Sequence, residues 1–237
     1  MNWEIFSEAS TWLLYLQGME GTFVMLGGLL VCGGIAGLIF ALMLCSRSPV
    51  LRGIASSFTY VVRGTPLLIQ IFLIYYGIAQ LDWVRSHWDT IWFLEPFKSA
   101  MFCAMLAFSI NHAGYLAEIL AGAIRDTSKG EVEAGYAMGM SRFQVLRRII
   151  LPSAMRRALP PYTNEVMQMM HGTSLASTIP AMLELTAAAQ KINRDYYLTF
   201  EAYLFAAGLY LVLTFTLMGI FRLIEKRYTA YLQPRTH

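Results

Sequence analysis

The sequence predicts an all-α integral membrane protein with five transmembrane helices, and three observations carry that reading. Only 14% of its 237 residues are charged while 57% are hydrophobic, against about 25% charged in an ordinary soluble domain. Mean hydropathy is +0.50. Apolar runs of roughly the 20 residues a bilayer-crossing helix needs recur along the chain, and the basic residues gather in alternate connections between them.

Residues 1–21 do not read as a secretory signal. Glu4 and Glu8 stand where a basic start is needed, and no short apolar run ends in a small-residue cleavage site. Trp3, Phe6, Trp12, Leu13 and Tyr15 make this an interfacial segment lying on the membrane surface. Residues 23–45 form the first span, free of charge, in which Gly27, Gly28, Gly33, Gly34 and Gly37 invite close helix contact. Residues 66–81 form the second, with Arg63 at its foot. Residues 100–124 form the third, interrupted only by His112 and Glu118. Residues 161 to about 189 make a polar-rich fourth, and residues 203–221 an apolar fifth. Cys32, Cys45 and Cys103 lie in or beside apolar runs and read as small packing groups.

Orientation follows from charge. Arg47, Arg52 and Arg63 lie between the first two spans or at their edge. Arg125, Lys129, Arg142, Arg147, Arg148, Arg156 and Arg157 lie between the third and fourth, and Arg222, Lys226, Arg227 and Arg235 after the fifth. That is 14 of the 18 basic residues on one side, facing Arg85, Lys98, Lys191 and Arg194 on the other. Cytoplasmic loops carry the Lys and Arg excess, so the N-terminus is expected in the periplasm and the C-terminus in the cytoplasm.

Motifs narrow the function. Glu133-Ala134-Gly135, Gly139 four residues on, and Ile149-x-Leu151-Pro152 resemble the EAA-x3-G-x9-I-x-L-P cytoplasmic loop of bacterial ABC importer permeases, with Gly135 in place of the usual second Ala. Arg63-Gly64-Thr65-Pro66-Leu67-Leu68-Ile69-Gln70 resembles the opening of the second span in polar amino-acid permeases. Ala117-Glu118-Ile119, Gly122-Ala123-Ile124 and Lys129-Gly130 resemble their approach to the loop. Leu159-Pro160, Asn164-Glu165 and Thr173-Ser174-Leu175-Ala176-Ser177 resemble the run after it. Asn164-Glu165-Val166, Met170-His171 and the ending after Phe221 look most like the M-type subunit of histidine/lysine-arginine-ornithine importers, with opine permeases close behind.

The resemblance implies a type I ABC importer permease fold in the bacterial inner (cytoplasmic) membrane. A single permease domain spans 1–237, with 130–152 as the loop that couples to an ATPase. It implies a dimer of ABC ATPase subunits, a sister permease in a heterodimer, a periplasmic amino-acid-binding protein and surrounding lipid as partners. The residues agree. No Gly-x-x-x-x-Gly-Lys-Ser/Thr loop is present to cradle nucleotide phosphates, so the chain is expected to bind no cofactor and to leave ATP-Mg to the ATPase. No His-Glu-x-x-His, paired-Asp or Ser/Lys motif supports the alternative of an intramembrane enzyme built on His112, Glu118, Glu165 or His171. The basic residues follow the inner face of the membrane without interleaved aromatics, which offers nucleic acid no platform.

Within the loop, Ala134, Ala137, Met138 and Gly139 offer a small apolar face, and the charge of Glu133 suits a helix start. Gly139 can supply a left-handed turn or a close backbone approach, and Pro152 marks the bend back to the membrane. Within the fourth span, Asn164, Gln168 and His171 fall within about 60° of one another at 100° per residue, with Glu165 and Gly172 beside them. Such a stripe is costly against lipid. It is expected to face a partner helix or a water-filled path for cargo, with Thr173, Ser174 and Ser177 continuing it; interhelical hydrogen bonding is the plainer alternative. Glu118 is either a path residue or an inter-span partner of Arg63 or a loop cation. A membrane carboxylate with no adjacent Lys or Arg suits an ammonium or guanidinium, so a basic amino acid or opine is the expected cargo, and a neutral or acidic amino acid the alternative. Glu184, Lys191, Arg194, Asp195, Tyr196 and Tyr197 are placed to meet the binding protein on the outer side.

Overall fold

A computed structural model describes residues 4–180 and 182–229, and every regular element among them is helical. Ten α-helices follow in chain order: α1 (Ala9–Leu44), α2 (Pro49–Gly64), α3 (Leu67–Phe72), α4 (Asp82–Ser86), α5 (Ala100–Arg125), α6 (Lys129–Ala137), α7 (Arg142–Val145), α8 (Leu151–Gly172), α9 (Leu185–Tyr196) and α10 (Thr199–Thr229).

The 36 residues of α1 span about 54 Å at 1.5 Å per residue, longer than a hydrocarbon core of roughly 30 Å. The break expected between an interfacial segment at 1–21 and a span at 23–45 is therefore absent over the described residues, since residues 9–21 continue into the span as one helix. Its N-terminal part is held by Tyr15, whose buried hydroxyl donates to Ala202 O at 2.9 Å while Phe205 packs on the ring. Further along, α1 lies against α5 through its glycines. A Cβ on Gly33 would stand 2.7 Å from Ser109 O, and Gly28 and Gly37 meet Met105 and Leu116 just as closely. Gly27 and Gly34 face elsewhere, with nothing within 4 Å of a built Cβ.

The expected second span, residues 66–81, corresponds to one continuous helical run, Leu67–Gln80, set at an elbow to α2. After α2 the chain turns by 103° into α3, and residues 73–80 continue as a π turn and a 3₁₀ turn. Pro66 supplies the cause: it pushes Thr65 out of the helical region, to φ −113° and ψ 138°. Gln70 then staples the elbow. Its amide donates to Val62 O and to Thr65 Oγ1, both at 2.7 Å, and its carbonyl accepts from Asn111 of α5 at 3.0 Å.

The fourth span is redrawn. α8 continues from α7 through a π turn, Leu146–Ile150, so that Pro152 follows directly on that turn within a continuous helical run, and it ends at Gly172. A 3₁₀ stretch, Thr173–Thr178, follows. There Thr173, Ser174, Ser177 and Thr178 each donate to the carbonyl three residues back, so the run of hydroxyls tightens the backbone and ends the α-helix. Among the described helices α1, α5 and α10 are long and apolar enough to cross a membrane, and the bent α2–α3 pair makes a fourth. At 22 residues α8 has the length but is too polar to meet that criterion.

Candidate functional site

Two regions carry the residues singled out by sequence. The first is the loop between α5 and α8. α6 ends at Ala137, and Gly139 takes φ +80°, the left-handed conformation that glycine adopts without cost. The turn is closed by Met138 N to Ala134 O at 3.0 Å, Gly139 N to Tyr136 O at 2.9 Å and Met140 N to Gly135 O at 3.1 Å. Ser141 then starts α7 with a capping box, accepting from Gln144 N while the Gln144 side chain accepts from Ser141 N.

Gly135 is the inward residue of this unit. A Cβ there would lie 2.6 Å from Ile149 Cδ1, so Ile149 occupies the space an Ala would take. Glu133, Ala134, Ala137 and Gly139 face water, as do three large apolar side chains, Tyr136, Met138 (78% exposed) and Phe143 (68%). Leu151 is exposed, and Ile149 and Pro152 are half-buried at the base of the loop. Arg157 clamps that base, donating to Ser153 on its own helix and to Ala123 O and Thr127 where α5 ends.

The second region is the C-terminal half of α8. Asn164, Gln168 and His171 are all exposed along one stripe, and His171 Nε2 pairs with Thr214 Oγ1 of α10 at 3.0 Å. Gln168 lines a groove of about 440 Å³ at the α2–α3 elbow together with Arg63, Thr65, Asn111 and Tyr115. The Arg63 guanidinium lies 5.4 Å from the centre of the Tyr115 ring. Thr173 is buried, and Ser174 and Ser177 are half-buried.

Glu165 sits apart from the open stripe. It is 4% exposed and pairs with His112 Nδ1 at 3.2 Å; His112 is fully buried, and its Nε2 is without a hydrogen-bond partner. The bare Cα of Gly33 makes room for this imidazole, since a Cβ there would come within 3.1 Å of it. Three helices thus meet at one buried pair. Glu118 accepts from Thr59 of α2 at 2.7 Å, an inter-span bond, though with Thr59 rather than with Arg63.

Between α8 and α10 one expectation is corrected. Glu184 has no exposed surface: it caps α9 by accepting from Thr186 N and Ala187 N and takes a third bond from Tyr210 at 2.8 Å. It offers nothing to an outside partner, whereas Lys191, Arg194, Asp195, Tyr196 and Tyr197 remain exposed. Sequence reasoning did not join His112 to Glu165, nor Arg63, Asn111 and Tyr115 to Gln168. The available signal was a set of polar residues inside apolar spans. No group of three or more His, Cys, Asp or Glu suited to a metal occurs among the described residues.

Comparison with known proteins adds the following. Residues 33–230 match the family described as "Binding-protein-dependent transport system inner membrane component". The chain is 41% identical to the nopaline transport system permease of Agrobacterium fabrum, over 83% of this chain and 80% of that one. It is 40% identical to the histidine/lysine/arginine/ornithine transport system permease of Escherichia coli K12, over 86% and 84%. It is 43% identical to the octopine transport system permease of Rhizobium radiobacter, over 78% and 74%. Among solved structures, an amino acid ABC transporter crystallised with histidines matches with TM-score 0.81 and 30% identity, over 96% of this chain and all of the other. An inward-facing methionine ABC transporter shares the fold with TM-score 0.68 at 18% identity, over 94% of this chain and 99% of that one.

Proposed function

The chain belongs to the binding-protein-dependent transport system inner membrane component family, and on that premise we propose that it forms half of the path by which an importer takes up basic amino acids: arginine, lysine, ornithine or histidine. It is a membrane-embedded permease subunit of an ABC importer for amino acids or opines, not an enzyme. It works with a binding protein and with a separate ATPase that hydrolyses the ATP.

One observation carries the basic cargo: α8 exposes Asn164, Gln168 and His171, holds the Glu165 carboxylate beside them, and has no Lys or Arg from Ala158 to Gly172. A polar, uncharged wall backed by a carboxylate receives an ammonium or guanidinium without like-charge repulsion. Arg63, in the adjoining groove, suits the carboxylate that all amino acids share and does not oppose this. Glu165 acts from behind the wall through His112, Glu118 ties α2 to α5, and Thr173, Ser174 and Ser177 shape the end of α8.

In this reading the loop at 130–152 seats on the ATPase with Glu133, Ala134, Ala137 and Gly139, backed by Gly135 and Ile149 and joined to the membrane by Leu151 and Pro152. ATP-Mg stays on the ATPase and this chain holds no cofactor. The charge asymmetry supports five spans in the bacterial inner membrane, N-terminus outside and C-terminus in the cytoplasm, within one domain over 1–237. The likeness to M-type subunits supports a heterodimer with a sister permease. Opines are the second reading, favoured by identities of 41% and 43% to opine permeases beside 40% to the basic amino-acid permease.

The test is uptake of radiolabelled arginine into vesicles carrying this chain with its sister permease, ATPase and binding protein. Inhibition by unlabelled histidine, lysine and ornithine alone is expected. Inhibition by glutamine or glutamate contradicts the basic cargo, and inhibition by nopaline or octopine in place of the free amino acids moves the assignment to opines.

A further inference from the structure

The lower ends of α8 and α10 enclose a groove of about 480 Å³ lined by Leu151, Met155, Leu159, Ile224 and Tyr228, with Arg156 at its edge. Arg156 also lines a second groove, of about 490 Å³, under the coupling loop, where three guanidinium groups, with Arg148 and Arg157, outnumber the one carboxylate of Glu131. One guanidinium therefore stands where an apolar cavity meets a cationic one. A free anion would leave the first cavity unused, and an uncharged apolar molecule the second. An amphiphile with an anionic head fits both. We propose that this junction binds an anionic glycerophospholipid, with an acyl chain along Met155 and Leu159 and the phosphate beside Arg156.

Position supports that occupant. At 100° per residue the groove face of α8 is turned roughly 160° from the Asn164, Gln168 and His171 stripe, so it points away from the cargo path. α10 is 31 residues long, about 46 Å, which exceeds a hydrocarbon core of roughly 30 Å and carries its last turns into the headgroup layer. Arg227 adjoins Tyr228 there and is exposed. Clustered Lys and Arg at the cytoplasmic end of membrane helices attract anionic headgroups. The lipid would brace α8 against α10 just below Pro152, where the coupling loop returns. Only the assignment of this end to the cytoplasm rests on the reading above.

Native mass spectrometry of the detergent-purified transporter, given equal dioleoyl-phosphatidylglycerol and dioleoyl-phosphatidylcholine, tests this. The wild-type complex is expected to retain the glycerol lipid roughly tenfold over the choline lipid, as two or more basic contacts imply. Arg156→Gln is expected to abolish most of that preference. Met155→Trp, at a position 63% exposed where bulk meets no core, fills the groove and is expected to lower retention of both lipids. Equal retention of the two lipids by wild type, or unchanged retention in both variants, overturns the proposal. So does crosslinking of Met155→Cys to the sister permease, because protein would then fill the groove. Arginine uptake by the same transporter reconstituted into sealed vesicles separates the two readings: uptake without selective lipid retention overturns the lipid site alone, and selective retention without uptake supports it while counting against the cargo.

Discussion

The loop at 130–152 and the C-terminal half of α8 break the usual burial rule in opposite directions. In water, the loop exposes Tyr136, Met138 and Phe143; among apolar spans, α8 exposes Asn164, Gln168 and His171. Apolar groups in water and polar groups against lipid are each unfavourable, so each set marks a surface that another body covers. In the function proposed above, that body is a protein groove for the loop and, for α8, an aqueous path shared with a second permease. Mismatch between a side chain and its medium is thus the common signal, and its sign tells which kind of partner is missing.

Four changes break or sharpen the contrast. The largest effect is expected from Met138→Asp, which puts a charge at the centre of the apolar face. A buried interface anchor contributes about 2 kcal/mol or more, so ATPase affinity and ATP-driven uptake are expected to fall about 30-fold, read by co-purification and vesicle transport. A normal yield of ATPase would separate that face from docking. His171→Lys makes the complementary change on α8. A like charge in a partly dehydrated path is expected to raise the KM for arginine about tenfold, leaving ATPase co-purification untouched; an unchanged KM would take His171 out of the path.

Behind that wall, His112→Ala and Glu165→Gln share one interaction at 3.2 Å. Their stability losses are expected to be non-additive by about 1 kcal/mol in a double-mutant cycle, with additive losses showing that the pair is no unit. The smallest effect belongs to Gly135→Ala. The new methyl meets the flexible end of Ile149 at 2.6 Å and Val145 Cγ2 at 3.3 Å while helix propensity improves by about 1 kcal/mol, so stability within about 1 kcal/mol of wild type and normal uptake are expected. A large loss of uptake would mean that the loop's inner packing is as sensitive as its outer face.

The two regions also differed in how far they could be read from sequence. The loop is built by local rules, and its elements were legible as residues: Gly139 at a positive φ and small residues along α6. On α8, the stripe of Asn164, Gln168 and His171 was legible from helical periodicity, because side-chain direction depends only on spacing. What opposes Glu165 was not. Its partner His112 lies 53 residues away, and a span boundary placed by apolar content alone put the start of α8 ten residues late. The 103° elbow was hidden for a related reason. Pro66 announced a helix end, but the direction of the next helix is set by Gln70 reaching back to Val62 O and across to Asn111, contacts that no local pattern contains. Residues 9–21 joined the first span because their aromatic side chains, read as an interfacial set, include Tyr15, which packs inward on Ala202 and Phe205.

The most direct test of the opposed-mismatch account is thiol accessibility along α8 in the assembled transporter, with Cys32, Cys45 and Cys103 replaced by alanine. Cysteines placed singly at Asn164, Gln168 and His171 are expected to react with a membrane-impermeant maleimide and to be protected by arginine, while cysteines at the buried Val166 and Met170 stay unreactive. Equal labelling of both sets, or labelling at the stripe that arginine leaves unchanged, would contradict the claim that this polar face lines the cargo path.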